Sequence, residues 1–100
     1  MEMTLDEITE GMRKRVGADS GLDATVKFDF GADGIIFLDG KSAPNTVTNE
    51  DKDADCTIGI KLADFEKLVA GDLDPTTAFM LGKLKVSGDM SVAMRLQRVI

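Results

Sequence analysis

The sequence contains no histidine, tryptophan or tyrosine, and Cys56 is its only cysteine. The absence of histidine removes the commonest general base and the commonest metal-binding side chain. Catalytic triads of the Ser-His or Cys-His kind are therefore excluded. A lone thiol forms no intramolecular disulfide, so the fold does not depend on an oxidising compartment. Because Cys56 lies among acidic residues, which disfavour a thiolate, we expect a buried and unreactive thiol.

Long apolar runs and basic clusters are also missing. No window approaches 18 apolar residues, so no membrane span is predicted. Residues 1–7 are acidic where a signal peptide needs a basic flank, and no signal peptide is expected. The net charge of −6 argues against nucleic-acid binding and against a polybasic membrane anchor. We therefore expect a cytoplasmic protein with at most transient membrane contact.

The composition is that of a globular protein, with 43% apolar and 30% charged residues in a chain of 100. This length suits one domain with one core, and we expect residues 1–100 to form a single domain.

The acidic run between residues 50 and 55 invites comparison with a calcium-binding loop. Asp51, Asp53 and Asp55 have the alternate spacing of calcium ligands. The motif then requires a glycine and a bidentate glutamate, and Cys56 and Leu62 stand at those two positions. We expect a solvated loop here, and no metal or cofactor in the protein. Since no spacing singles out a pair of carboxylates for acid–base work, we expect no catalytic residues and no enzyme.

Hydrophobic periodicity, turn residues and helix caps predict a mixed α+β fold. The predicted order is a helix at 5–16, strands at 24–30, 35–38, 45–49 and 56–60, helices at 62–70 and 75–81, a strand at 83–87, and a helix from Met90 through Val99 and Ile100. The first three strands are joined by short connections and should form an antiparallel meander. Helices separate the later strands, so we expect a mixed sheet with helices packed on one face.

Two of the predicted helices have well-defined starts. Thr4 and Glu7 have the spacing of a capping box, in which each side chain bonds the other residue's backbone. Asp74 suits the N-cap of the short third helix, and Pro75 suits its first helical position. Gly82 is then expected to end that helix.

The helices of the second half carry many large apolar side chains. These are Phe65, Leu68, Phe79, Met80, Leu81, Met90 and Met94. By pattern alone they fit either a hydrophobic core or the wall of a ligand cavity, and the core is the commoner use. Flexible methionine side chains suit both roles.

Four stretches of the second half resemble the sterol carrier protein 2 family of sterol- and lipid-transfer domains. They are Ala54-Asp55-Cys56-Thr57-Ile58, Asp64-Phe65-x-x-Leu68-x-x-Gly71-x-Leu73-x-Pro75, Ala78-Phe79-Met80-x-Gly82-Lys83-Leu84-Lys85-Val86-x-Gly88-Asp89-Met90 and Ala93-Met94-x-Leu96. The first half matches mainly through Phe28-x-Phe30, the hairpin that follows and the Asp39-Gly40 turn. The resemblance covers nearly the whole chain.

This resemblance implies a five-stranded, mostly antiparallel sheet covered on one face by helices, with an apolar tunnel between the layers. It also implies non-catalytic binding and transfer of a fatty acid, fatty acyl-CoA, sterol-like lipid or phospholipid. The residues expected to line the cavity are Phe65, Leu68, Phe79, Met80, Leu84, Val86, Met90 and Met94. Four hairpin residues are expected to close the opposite wall, namely Phe28, Phe30, Ile35 and Phe37.

An alternative use of the same apolar surface is contact with another protein. The domain would then be an interaction or dimerisation module beside a separate lipid-metabolising enzyme, and we expect a monomer or a weak homodimer. Mammalian members end in a peroxisomal tripeptide of the Ser-Lys-Leu kind, where this sequence ends in Arg98-Val99-Ile100. Import into peroxisomes is therefore not expected.

Overall fold

The structure is a computed structural model and describes residues 4–17 and 19–96. Within this part the chain forms five strands, β1 (Thr25–Asp29), β2 (Ile35–Asp39), β3 (Thr46–Thr48), β4 (Cys56–Ile60) and β5 (Leu84–Gly88). They form one sheet in the order β3-β2-β1-β4-β5. β1 and β4 are parallel, and the other three neighbouring pairs are antiparallel. The predicted meander and the mixed, mostly antiparallel sheet are confirmed.

Alternation along the central strands makes one face of the sheet apolar. Val26 and Phe28 are buried on β1, and in the register between β1 and β4 they lie opposite Cys56 and Ile58, which are buried too. Successive side chains of a strand point to opposite faces, so these four side chains share one face. β2 shows no alternation, because Phe37 on its other face is buried as well.

The described residues form four α-helices, α1 (Leu5–Val16), α2 (Leu62–Ala70), α3 (Pro75–Met80) and α4 (Met90–Leu96). Buried side chains of α1, α2 and α4, among them Met12, Phe65 and Leu96, belong to the same apolar cluster as Val26 and Phe28. α3 packs beside β5. The helices therefore cover the apolar face of the sheet, as predicted.

The predicted caps are present at both helix starts. Thr4 Oγ1 accepts a hydrogen bond from the Glu7 amide at 3.2 Å, and Glu7 Oε1 accepts one from the Thr4 amide at 3.4 Å. Asp74 caps α3 by accepting from the Thr77 amide at 3.3 Å. Each bond satisfies a backbone N–H that has no partner inside its own helix.

The acidic loop between β3 and β4 lies against the face of the sheet that the helices leave free. Asp51 Oδ1 accepts from Lys27 Nζ at 3.0 Å, and Lys52 Nζ lies 5.9 Å from the centre of the Phe37 ring. Across residues 4–17 and 19–96, no group of three or more metal-ligating side chains could hold an ion. The loop is thus held to the sheet by one ion pair and one cation–π contact.

The longest helix in the described part, α1, has 12 residues. A transmembrane helix needs about 20 apolar residues, and none of the described helices meets the length and hydropathy of a membrane span. The predicted extension of the last helix through Val99 and Ile100 lies outside the described residues.

Candidate functional site

A cavity of about 450 Å³ lies between the apolar face of the sheet and three of the helices. Strands β1, β4 and β5 contribute Phe28, Ile58, Leu84 and Val86 to its wall. The helices and the α2–α3 connection contribute Phe65, Leu68, Val69, Asp74, Pro75, Thr76, Phe79, Met90, Ala93, Met94 and Leu96. Most of the residues that line the cavity therefore come from the second half of the chain, and β1 contributes only Phe28.

Ordinary periodicity brings these side chains together. On β5, Leu84 and Val86 are half-buried and face the cavity, whereas Lys85 between them is exposed. On α4, Met90, Ala93 and Met94 are three and four residues apart, which places them on one side of a helix.

The floor of the cavity is aromatic. Phe65 of α2 is 1% exposed, and its ring centre lies 5.2 Å from that of Phe28 and 5.3 Å from that of Phe30. The ring of Phe28 on β1 and the ring of Phe30, just after β1, are stacked with their centres 6.4 Å apart. Tilted and offset rings at these distances attract one another. This contact fixes α2 above the centre of the sheet.

The open side of the cavity carries large apolar side chains that are exposed to solvent. Phe79 and Met90 are each 51% exposed, and Met94 is 71% exposed. Covering apolar surface gains roughly 25 cal/mol per Å². An apolar ligand that enters the cavity would cover part of this surface.

Polar groups are scarce in the cavity. Among the described residues that line it, only Asp74 and Thr76 are polar and none is basic. Asp74 Oδ2 already accepts hydrogen bonds from the amide and the hydroxyl of Thr77, at 3.3 and 3.2 Å. The cavity thus offers hydrocarbon contacts and no positive charge for an anion.

Seven of the eight predicted lining residues border this cavity, and Met80 does not. Met80 is 80% exposed, because the short helix α3 directs the neighbouring Phe79 towards the cavity. One step along a helix turns the side chain by about 100°, which points Met80 away from the direction of Phe79.

The expected wall of hairpin residues is only partly present. Phe28 borders the cavity, and Phe30 packs behind it against Phe65. The prediction for Ile35 and Phe37 is wrong, because the antiparallel register pairs them with Asp29 and Lys27 on the opposite face of the sheet.

Sequence reasoning missed several lining residues, including Ile58, Val69, Ala93 and Leu96. Helical spacing was an available signal for Ala93, which lies one turn from Met90. Ile58 lies on the same buried face of β4 as Cys56 and Ile60. Only its position opposite Val86 of β5 distinguishes it as part of the cavity wall.

Cys56 does not border the cavity and has no surface exposed to solvent. Burial raises the pKa of its thiol above the usual range, and the nearby charge of Asp89 raises it further. Both effects oppose the thiolate, so the prediction of a buried thiol is confirmed.

Residues 6–100 match the sequence profile of the SCP-2 sterol transfer family. Sterol carrier protein 2 of Homo sapiens is 37% identical over 99% of this chain, and the chain spans 18% of that protein's length. The non-specific lipid-transfer protein-like 1 of Caenorhabditis elegans is 31% identical, and the match covers 100% of this chain and 92% of the Caenorhabditis elegans protein.

Solved structures show the same fold. The crystal structure of sterol carrier protein 2 like 2 from Aedes aegypti superposes with a TM-score of 0.76 at 24% identity, covering 96% of this chain and 95% of that one. The profile match and the Caenorhabditis elegans relative each span nearly the whole chain, and together they identify its family. The chain belongs to the SCP-2 sterol transfer family.

Proposed function

We propose that this protein binds a lipid through its hydrocarbon chain in the cavity between the sheet and α2–α4, and transfers it unchanged. The observation that carries the proposal is the apolar cavity itself, with exposed Phe79, Met90 and Met94 at its open side. Its volume of about 450 Å³ falls within the roughly 300–1,000 Å³ of small-molecule sites.

The binding energy in this proposal comes from hydrocarbon. Each methylene that leaves water gains about 0.8 kcal/mol, and part of that gain offsets the ligand's lost freedom. Because the open side already exposes large apolar side chains, ligand and protein lose apolar surface together.

The polar head of the ligand would remain outside the cavity in water, because an anionic head would be repelled by the Asp74 carboxylate. No basic side chain among the described lining residues is available to pair with a carboxylate or phosphate. Recognition would therefore depend on the chain more than on the head. The Aedes aegypti relative has also been solved palmitated, which makes palmitate a suitable probe.

We propose no chemical step. Asp74 is the only carboxylate among the described lining residues, and it is engaged in capping α3. The Cys56 thiol is buried away from the cavity. A carrier needs neither group to react, since uptake and release make and break no covalent bond.

Displacement of a fluorescent fatty acid from delipidated protein by palmitate tests the proposal. Met94→Gln and Met80→Gln form a matched pair, because both methionines are largely exposed and only Met94 borders the cavity. Met94→Gln should weaken palmitate binding by at least roughly fourfold, the equivalent of one buried methylene. Met80→Gln should leave the affinity unchanged.

Two results would contradict the proposal. The first is the absence of saturable binding up to high micromolar fatty acid. The second is an equal effect of the two glutamine variants, which would place the ligand elsewhere. Either result, together with concentration-dependent self-association in light scattering, would favour the interaction or dimerisation module. Transfer is then measured separately, as movement of labelled lipid between donor and acceptor vesicles.

A further inference from the structure

A second, smaller cavity of about 200 Å³ lies between α1 and α2. Gly11, Met12 and Arg15 border it from α1, and Phe65 and Val69 border it from α2. Apart from the Arg15 guanidinium its described lining is apolar. The proposed transfer function makes no use of this cavity.

Phe65 and Val69 border both cavities, so these two side chains lie between them. Phe65 is 1% exposed, which places its ring at the floor of each cavity, whereas Val69 is only half-buried. We propose that the Phe65 ring is the partition that limits how long a hydrocarbon chain the main cavity accepts. This inference rests on the proposed function, because it assigns chain-length selectivity to that same site.

The surroundings of the ring make the partition stiff. Phe28 and Phe30 hold it from the sheet side at ring-centre distances of 5.2 and 5.3 Å. Phe28 belongs to the central strand β1, Phe30 directly follows that strand, and both are themselves buried. Since interiors are close-packed, the ring cannot retreat towards the sheet without displacing these neighbours, so it stays between the two cavities. A stiff partition gives a sharp limit on chain length.

Gly11 shows that the space behind the partition is open. It lies in the interior of α1, where glycine is less favourable than alanine. A Cβ atom built on Gly11 would meet no atom within 4 Å. Across the same space, Arg15 Nη2 donates to the Val69 carbonyl at 3.2 Å and ties α1 to α2. A chain that passed Phe65 would therefore enter an existing apolar space.

The test is a chain-length profile for the saturated fatty acids from decanoate through palmitate to behenate, each competing with a fluorescent fatty acid. Wild type, Phe65→Leu and Phe65→Ala are compared, with folding checked by thermal melting. The longest acid that binds tightly should be longer in both variants than in wild type. Each additional buried methylene should strengthen binding of the long acids roughly fourfold.

Gly11→Leu supplies the matched control, because its side chain would fill the second cavity from α1. Added to Phe65→Ala, it should return the profile to that of wild type. In the wild-type background it should change nothing, since the intact ring already excludes the ligand from that space.

The outcomes separate the two proposals. If wild type binds no fatty acid, the proposed function fails. If wild type binds and a folded Phe65 variant keeps the wild-type chain-length profile, the partition is overturned while the proposed function stands. Phe65→Leu alone decides this point if Phe65→Ala does not fold, because leucine keeps an apolar side chain in the core.

Discussion

Thr25 and Asp55 exchange two hydrogen bonds across the starts of the two parallel strands. The Thr25 amide donates to Asp55 Oδ2 at 3.1 Å, and the Asp55 amide donates to Thr25 Oγ1 at 2.9 Å. Asp55 Oδ2 also lies 3.1 Å from Lys41 Nζ. The next residues, Val26 and Cys56, are register partners in β1 and β4. This exchange therefore fixes the register of the central parallel pair, which places Phe28 beside Ile58 in the cavity wall.

Replacing Thr25 with valine should test the contribution of this exchange. Thr25→Val removes the acceptor for the Asp55 amide while keeping the branched shape that suits a strand. The free energy of unfolding should fall by about 1 kcal/mol, the net value of one hydrogen bond. Urea denaturation measures the change.

Thr57→Val is the control, because Thr57 is a half-buried β4 residue whose hydroxyl bonds to nothing in the described ranges 4–17 and 19–96. It should change the free energy of unfolding much less. Equal losses in the two variants would mean that the Thr25–Asp55 exchange adds no stability.

The stability of the protein should fall in acid partly because of Asp55. The backbone hydrogen bond from Thr25, followed by the bond from Lys41, holds the pKa of the Asp55 carboxyl below its usual range. A carboxyl whose pKa is lowered by folding stabilises the protein fully above its unfolded pKa, about 3.9. That stabilisation is lost as the pH falls through the lower, folded pKa.

Urea denaturation between neutral pH and pH of about 3 measures this dependence, with Asp55→Asn expected to flatten the acidic part of the profile. Asp53→Asn, in the same loop and without an ion pair to any described residue, should keep the wild-type profile. A wild-type profile for Asp55→Asn would show that the Asp55 carboxyl is not responsible.

Two glycine-to-alanine substitutions should have opposite signs. Built Cβ atoms at Gly11 and Gly71 meet no atom within 4 Å, so neither substitution causes a clash. Gly11→Ala in the interior of α1 should raise the free energy of unfolding by about 0.5–1 kcal/mol. Gly71 ends α2 with φ of +83°, and Gly71→Ala should lower it by about 1 kcal/mol. A gain in stability at both positions would contradict the left-handed backbone at Gly71.

Cys56 should be protected from thiol reagents in the folded protein. Burial, together with the charge of Asp89, raises the thiol pKa, and only the thiolate reacts readily. Modification by a disulfide reagent at neutral pH should be slow in buffer and fast in concentrated urea. Equal rates in the two conditions would contradict the buried position.

Much of the fold follows from local sequence. The alternation of Cys56, Ile58 and Ile60 predicts β4 and its buried face, because side chains of a strand alternate. The capping residues Thr4 and Asp74 locate two helix starts within a residue, because a cap bonds only its own first turn. The spacing of Met90 and Met94 predicts that they share one side of α4.

Tertiary structure alone decided the remaining points. The parallel pairing of β1 with β4 joins strands about thirty residues apart, and no local pattern specifies such a partner. Phe79 borders the cavity and Met80 does not, because the orientation of the short helix α3 depends on its packing beside β5.

The candidate site also combines features that local sequence determines with features that only tertiary packing decides. Composition and periodicity determined that large apolar side chains would cluster on the helices of the second half. Only the packing of α2 on Phe28 and Phe30 placed Phe65 at the floor of two cavities. A cavity is the space that several elements leave between them, so its shape depends on distances between residues that are remote in sequence.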